Sequence, residues 1–272
     1  MAVKPLHYRV MATRPGTQNH DWCALLASSG FSVLSMPMLA LVPVVDAQQQ
    51  NAVRQKILDF DLYDKVIFVS QNAVLHTREW LDQYWPQLPL GIEYFAVGKK
   101  TAQTLQQALE LSPEQVSSTA LTMNTEGLLQ HSLLQDVTHK KILICRGVGG
   151  RPLLGEALNA RGAQVEFCEL YLREIPELAL AQLAQQKFDS RTDIISVFSG
   201  ETLNNLLTVA AAVSMDKKAE LLRLAILVPG ERVAECAREA GFSRILTSQN
   251  ASELQMLETL QRLMNDGQNA SS

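Results

Sequence analysis

The sequence predicts an α/β protein of two lobes, each a parallel sheet flanked by helices. Short apolar runs alternate with longer amphipathic stretches along the whole chain, and that strand–helix rhythm is what parallel sheets with crossover helices require. The strand candidates are continuous apolar runs, as expected of strands covered on both faces. The chain has 272 residues, of which 47% are apolar; at ~100–200 residues per domain this length suggests two domains with real cores.

In chain order, the apolar runs Tyr8–Ala12 and Phe31–Ser35 read as strands around a helix at Asn19–Ser28. Met38–Val45 is extended and apolar. Lys65–Val69 is a strand that ends in Ser70 and opens the helix Asn72–Tyr84, and Glu93–Val97 ends in Gly98 before the helix Lys99–Leu109. A helix at Thr125–Leu134 precedes the strand Lys141–Cys145, the helix Pro152–Arg161 and the strand Ala163–Cys168, after which Glu169–Ile175 is again extended. The helix Ala179–Gln186 leads to the strand Asp193–Phe198, which ends in Ser199 and opens the helix Glu201–Ala212. The strand Leu224–Val228, the helix Glu231–Glu239, the strand Arg244–Leu246 and the helix Ser252–Met264 complete the pattern, and Asn265–Ser272 reads as a disordered tail.

Internal repeats tell more than the elements do. The strand Val66–Val69 with its serine resembles Ile194–Phe198 with its serine, and Val97-Gly98-Lys99-Lys100-Thr101 resembles Pro229-Gly230-Glu231-Arg232. A third pair is Val10 to Arg14 and Leu143 to Arg146, and the same interval separates Arg14 from Gly30 and Arg146 from Gly162. The units therefore run Arg, Ser, Gly, Arg, Ser, Gly. A tandem cut near residue 139 fits this order. A discontinuous division fits it better: 1–37 plus 176–272 as one lobe and 46–168 as the other, with 38–45 and 169–175 as two crossings lying side by side.

Composition excludes several classes. Lys and Arg number 24 against 28 Asp and Glu, a net charge of −4, which is not the basic excess of a nucleic-acid binder. The longest apolar stretch, Met36–Val45, is far short of the ~20 residues a membrane span needs, and no secretory signal precedes it, so a cytoplasmic protein is expected. Cys23, Cys145, Cys168 and Cys236 form no C-x-x-C pair and read as buried free thiols. The five histidines have no zinc spacing, so no metal is expected. Gly147, Gly149 and Gly150 do not complete a dinucleotide fingerprint, because Pro152 stands where its last glycine belongs.

Taken together, these pieces resemble uroporphyrinogen-III synthases over nearly the whole chain. The resemblance rests on Thr13-Arg14-Pro15, Phe68 to Val74, Ala96-Val97-Gly98 with Thr101-Ala102, Arg146 to Arg151, Ala160 to Arg173, Ser199-Gly200-Glu201 and Glu231 to Ala234. It implies two α/β lobes joined by a two-stranded β ladder, and a cofactor-free enzyme; separately, a monomer is expected. Its substrate is then hydroxymethylbilane, a linear tetrapyrrole with eight carboxylates, closed into a ring with inversion of the last pyrrole and loss of water. The alternative class is a two-lobed small-molecule binding or sensor module without catalysis.

Such a polyanion needs hydrogen-bond donors and positive charge. Helix N-termini supply both, and in parallel sheets they lie at the carboxyl ends of strands, where ligands bind. The turns after Val69, Val97, Cys145, Phe198 and Val228 are such places. The substrate-binding candidates are Arg14, Ser70, Gln71, Asn72, Gly98, Thr101, Arg146, Gly147, Arg151, Ser199, Gly200, Glu201, Gly230 and Glu231; as helix caps and structural arginines, the same residues have a purely architectural reading. Tyr171 is the catalytic candidate. It lies on the second crossing, where its ring is expected to face the cleft between lobes and its phenol to protonate the departing hydroxyl, a role that the resemblance also gives to a tyrosine at this place.

Overall fold

The computed structural model describes residues 7–118 and 125–269. In chain order its elements begin with β1 (Arg9–Ala12), α1 (Gly16–Ser28), β2 (Ser32–Ser35), β3 (Ala40–Pro43), α2 (Ala47–Leu58), β4 (Lys65–Phe68), α3 (Gln71–Tyr84) and β5 (Glu93–Ala96). There follow α4 (Lys99–Ala108), β6 (Val116–Ser118), α5 (Thr125–Leu128), β7 (Lys141–Gly147), α6 (Leu153–Ala160), β8 (Gln164–Glu174), α7 (Ala179–Gln185) and β9 (Asp193–Ser196). The last are α8 (Gly200–Val213), α9 (Met215–Leu222), β10 (Ala225–Pro229), α10 (Gly230–Ala240), β11 (Arg244–Ser248) and α11 (Glu253–Asn269).

The chain divides into two compact units, Met1–Ala40 with Glu174–Ser272, and Leu41–Arg173. The first holds a parallel five-stranded sheet in the order β11-β10-β9-β1-β2. The second is built on a six-stranded sheet, β3-β8-β7-β4-β5-β6, whose registered pairs are parallel. Without the edge strand β3, the two sheets have the same order: β2, β1, β9, β10 and β11 correspond to β8, β7, β4, β5 and β6. The sequence repeats therefore mark equivalent strands, with the Arg strands β1 and β7 beside the Ser strands β9 and β4.

Each sheet buries both faces, and successive residues of a strand go to opposite cores. In β4, Val66 and Phe68 join the core under α2, α3 and α4, while Ile67 joins Leu128, Leu154 and Leu158 on the other side. In β1, Val10 and Ala12 pack with Trp22 of α1 and Leu260 of α11, while Met11 packs with Leu203 and Val233.

The sequence reading misses some elements, and each has a thin apolar signal. Helix α2 buries only Val53 and Ile57, but Asp46 caps it by accepting from the Gln49 N–H at 2.9 Å. Helix α9 buries only Leu221 and is capped by Ser214. Strand β6 is a three-residue edge. The helix expected at Thr125–Leu134 stops at Leu128 and gives way to a 3-10 turn at Ser132–Leu134. Helix α11 continues to Asn269 through most of the expected tail, of which residues 270–272 lie outside the described residues. Met38–Val45 and Glu169–Ile175, expected as crossings, contain β3 and the far end of β8; the two strands pair, with Val44 donating to the Leu170 carbonyl at 3.3 Å.

Asp64 ties the amino ends of three strands in the second unit. Its carboxylate accepts from Lys140 Nζ and from the Lys141 N–H, each at 2.8 Å, and its carbonyl accepts from Glu93. The Lys140 hydrogen bond, helped by the Lys141 amide, holds the carboxyl below the usual carboxylate range. A depressed folded-state pKa gives stability that is present above the unfolded pKa and lost as pH falls through the folded one. Asp64→Asn is therefore expected to lower the melting temperature at pH 7. Its deficit should shrink on acidification below the ordinary carboxylate value of ~3.9, and an equal deficit in thermal melts at pH 7 and pH 2.5 would refute the linkage.

Candidate functional site

In both sheets the Arg and Ser strands are neighbours whose connections leave in opposite directions, since β1 leads to β2 and β9 to β10, and likewise β7 to β8 and β4 to β5. That makes their carboxyl ends the switch point at which open α/β sheets bind ligands.

In the second unit, the switch point lies between Phe68 and Cys145, which are in register, and the Val69 N–H donates to the Cys145 carbonyl. Ser70 follows as the N-cap of α3. Its Oγ accepts from the Ala73 N–H and lies 3.1 Å from the Tyr171 hydroxyl. Gln71 accepts from Thr104 Oγ1 at 3.3 Å, which links α3 to α4. The Asn72 side chain is half-buried and has no hydrogen-bond partner among the described residues. Gly98 caps α4 with a positive φ of 85°, and Thr101 is buried in its first turn.

Tyr171 owes its place to a β-bulge. Arg146 pairs with Glu169, but Gly147 pairs with Tyr171, so Leu170 is the extra residue. The bulge cancels the alternation that would otherwise send Tyr171 to the opposite face from Leu170, and both side chains join the same core. The ring is 1% exposed. It packs so closely on Gly147 that a Cβ there would lie 2.6 Å from Cε2. Its face stacks on His76 at 5.3 Å, with 29° between planes, and His76 Nδ1 lies 3.2 Å from Glu79 Oε2. His76 escapes the sequence reading, which sees five scattered histidines; its one signal is its place on α3, less than two turns after the capping serine.

Arg146 is committed within the unit. It binds Glu169 Oε1 through Nε and Nη2 at 3.1 and 2.8 Å, reaches the Gly150 carbonyl, and stacks on Phe167 at 3.6 Å. The turn after it is not a helix N-terminus, because β7 continues to Gly147 and α6 starts only at Leu153. Arg151 is exposed, and its guanidinium has no partner among the described residues.

The first unit repeats the scheme without the phenol. Ser199 caps α8 at φ −157°, ψ 159°, almost the −160°, 162° of Ser70, and its Oγ accepts from the Thr202 N–H. Its second hydroxyl neighbour is Thr202 at 3.0 Å. Arg232 comes within reach of Gly200, its Nη1 standing 3.9 Å from where a Cβ would sit. Gly230 is left-handed at φ 69° and opens α10, Glu231 pairs with Arg238, and Glu201 is exposed. Arg14 is paired with Glu253, donates to Gln18 Oε1, and stacks 4.2 Å above Phe198. Burial pulls its pKa down against the pull of Glu253.

A cavity of about 370 Å³ lies elsewhere, lined by Leu81, Trp85, Leu88, Leu109 and Leu111. Leu81 is in the last turn of α3, Trp85 and Leu109 are the C-caps of α3 and α4, and Leu88 and Leu111 follow them, at the amino edge of the sheet, opposite the switch point. Among the described residues no cluster of three or more His, Cys, Asp or Glu is placed to hold a metal, and no helix is long and apolar enough to cross a membrane. All four cysteines are free, but Cys23 and Cys236 are half-buried where full burial is expected.

Comparison with known proteins gives a consistent result. Residues 20–258 match the family model described as uroporphyrinogen-III synthase HemD. The uroporphyrinogen-III synthase of Escherichia coli K12 is 31% identical over 255 residues, covering 93% of this chain and 99% of the relative. That of Salmonella typhimurium LT2 is 31% identical over 252 residues, covering 93% and 99%. Among solved structures, a mutant uroporphyrinogen III synthase from Thermus thermophilus superposes with a TM-score of 0.61 at 19% identity, covering 95% of this chain and 99% of that one. The Helicobacter pylori uroporphyrinogen-III synthetase gives 0.55 at 16%, covering 94% and 99%. These likenesses support the two-domain α/β fold.

Proposed function

We propose that this chain, which belongs to the uroporphyrinogen-III synthase family, works through the carboxyl edges of its two sheets. Its activity is that of a uroporphyrinogen-III synthase, a cyclising lyase of tetrapyrrole biosynthesis acting on a small-molecule substrate; the reading as a binding module without catalysis is not favoured. The substrate proposed is hydroxymethylbilane. Its carboxylates are held by backbone N–H groups and the capping residues Ser70, Gln71, Asn72, Gly98, Thr101, Ser199, Gly200 and Gly230, with Arg151 as a cation not engaged elsewhere among the described residues. Arg14 and Arg146 serve mainly as struts for the turns, since both are already paired.

The observation that carries the chemistry is the 3.1 Å contact between Tyr171 and Ser70. Ser70 Oγ accepts from Ala73 and donates its own proton to the phenol oxygen, which leaves the phenol O–H free to protonate the departing hydroxyl. The charge left on the phenol oxygen is then met by the Ser70 hydrogen bond and the positive end of α3. Because Tyr171 is buried and Ser70 half-buried, the substrate reaches the pair from the Ser70 side. Positioning, rather than proton transfer, selects the inverted isomer. The four free thiols support a reducing, cytoplasmic setting, and the chain is taken to act as a monomer.

The test compares two serines that share one backbone geometry. Ser199→Ala removes a neutral hydrogen bond of ~0.5–1.5 kcal/mol and is expected to lower turnover by tenfold or less. Ser70→Ala also removes a bond to a charged phenol oxygen, of ~1.5–3 kcal/mol, and is expected to lower it by ten- to a hundredfold. Single-turnover kinetics with chromatographic separation of the oxidised porphyrin isomers reads both. Equal effects would detach Ser70 from the chemistry.

A further inference from the structure

We propose that His76 is a positioning residue: its imidazole holds the Tyr171 ring in the one orientation that keeps the phenol on Ser70. This deepens the reading of Tyr171 as the acid and rests on it. Within the core that buries it, the ring meets the Gly147 backbone at its edge, Ser70 at its hydroxyl and His76 on its face. A single neutral hydrogen bond contributes only a modest net stabilisation, too little to hold an aromatic ring against rotation unaided. The Gly147 side blocks movement in one direction, and His76 supplies a flat wall against the ring face. His76 and Ser70 also belong to one helix, so α3 sets the hydroxyl partner and the wall together.

The imidazole is itself fixed. Nδ1 lies 3.2 Å from Glu79 Oε2, one turn further along α3, and the His76 side chain is 15% exposed. Packing alone does not account for a histidine here. The buried stripe of α3 is Ala73, Val74, Thr77 and Leu81, and an aliphatic side chain would fill the margin beside it. What the imidazole adds is a planar face with an anchored orientation.

The test is a double-mutant cycle on kcat and KM with hydroxymethylbilane. His76→Ala is expected to lower kcat by ten- to a hundredfold, the scale on which small misplacements act, and to leave KM and the melting temperature nearly unchanged. In a Tyr171→Phe background the same change should have no further effect on kcat, because there is no hydroxyl left to position. His76→Phe keeps a flat ring and should recover most of the loss. An unchanged kcat in His76→Ala, an effect that persists in the Tyr171→Phe background, or no recovery in His76→Phe would each overturn the proposal. Wild-type turnover in Tyr171→Phe alone is a separate result, the failure of the acid reading, and it takes this proposal with it.

Discussion

Tyr171→Phe is expected to lower turnover of hydroxymethylbilane by roughly 10²–10⁴-fold, the range for loss of a positioned general acid. The hydroxyl leaving from the bilane is a poor leaving group without a proton, and Tyr171 is the phenol at the switch point of the second sheet. Phenylalanine keeps the ring between Gly147 and His76, so packing is retained. The loss in stability should be about 1 kcal/mol, that of one neutral hydrogen bond, because the Ser70 hydroxyl still accepts from Ala73 and is half-buried. Binding should persist, since the carboxylate contacts come from the turns. The residual product should remain mainly the inverted isomer, because geometry and not the proton decides which carbon attacks. Rapid-quench single turnover with isomer separation measures turnover and product, and a bilane titration measures binding. Turnover near that of the parent chain would leave Tyr171 as a packing residue, and a switch to the uninverted isomer would show that the phenol steers the attack.

What the sequence shows and what it hides divide along a physical line. Ser70 and Ser199 are legible because capping is local: a serine after an apolar run and before a helix has one energetically favoured use. Gly98 and Gly230 are legible for the same reason, since turns with positive φ favour glycine, and the repeat of both units exposes two equivalent sheets. The face of Tyr171 is not legible. It depends on the extra residue Leu170 against β7, and register with a neighbouring strand leaves no mark on a single segment. Nor are the partners of the arginines. Arg14 meets Glu253 and Arg146 meets Glu169, pairs that only the folded sheet brings together, so two expected carboxylate binders turn out to be engaged already. His76 is hidden because its role lies in a stack across elements. Helix α2 is hidden because it buries just two apolar side chains, too few to give its three consecutive glutamines a periodic signal.

The bulge and the glycine opposite it give the last expected result. Gly147→Ala should lower both stability and turnover, the latter by about a hundredfold, the scale on which a misplaced group acts, although it adds a single methyl group. Gly147 does not have positive φ, so alanine suffers no backbone strain there, and the whole effect is contact. The new Cβ would meet Tyr171 Cε2 at 2.6 Å and Cζ at 2.9 Å, distances at which the ring must move. It cannot retreat freely, because His76 lies on its face and the rest of the core is packed behind it. Overpacking of this kind costs ~1–3 kcal/mol, and a displaced ring takes the phenol off Ser70. Gly149→Ala is the control. Gly149 is left-handed at φ 70° with nothing within 4 Å of a Cβ, so alanine there strains the backbone by ~1–3 kcal/mol but leaves the Tyr171 ring alone. The two variants should therefore lose similar stability and very different activity. Adding Tyr171→Ala should abolish the stability penalty of Gly147→Ala while restoring no turnover. Denaturant melts and single-turnover kinetics on these variants and the parent chain decide the matter, and a Gly147→Ala enzyme that keeps its turnover would mean that the position of the ring does not govern the reaction.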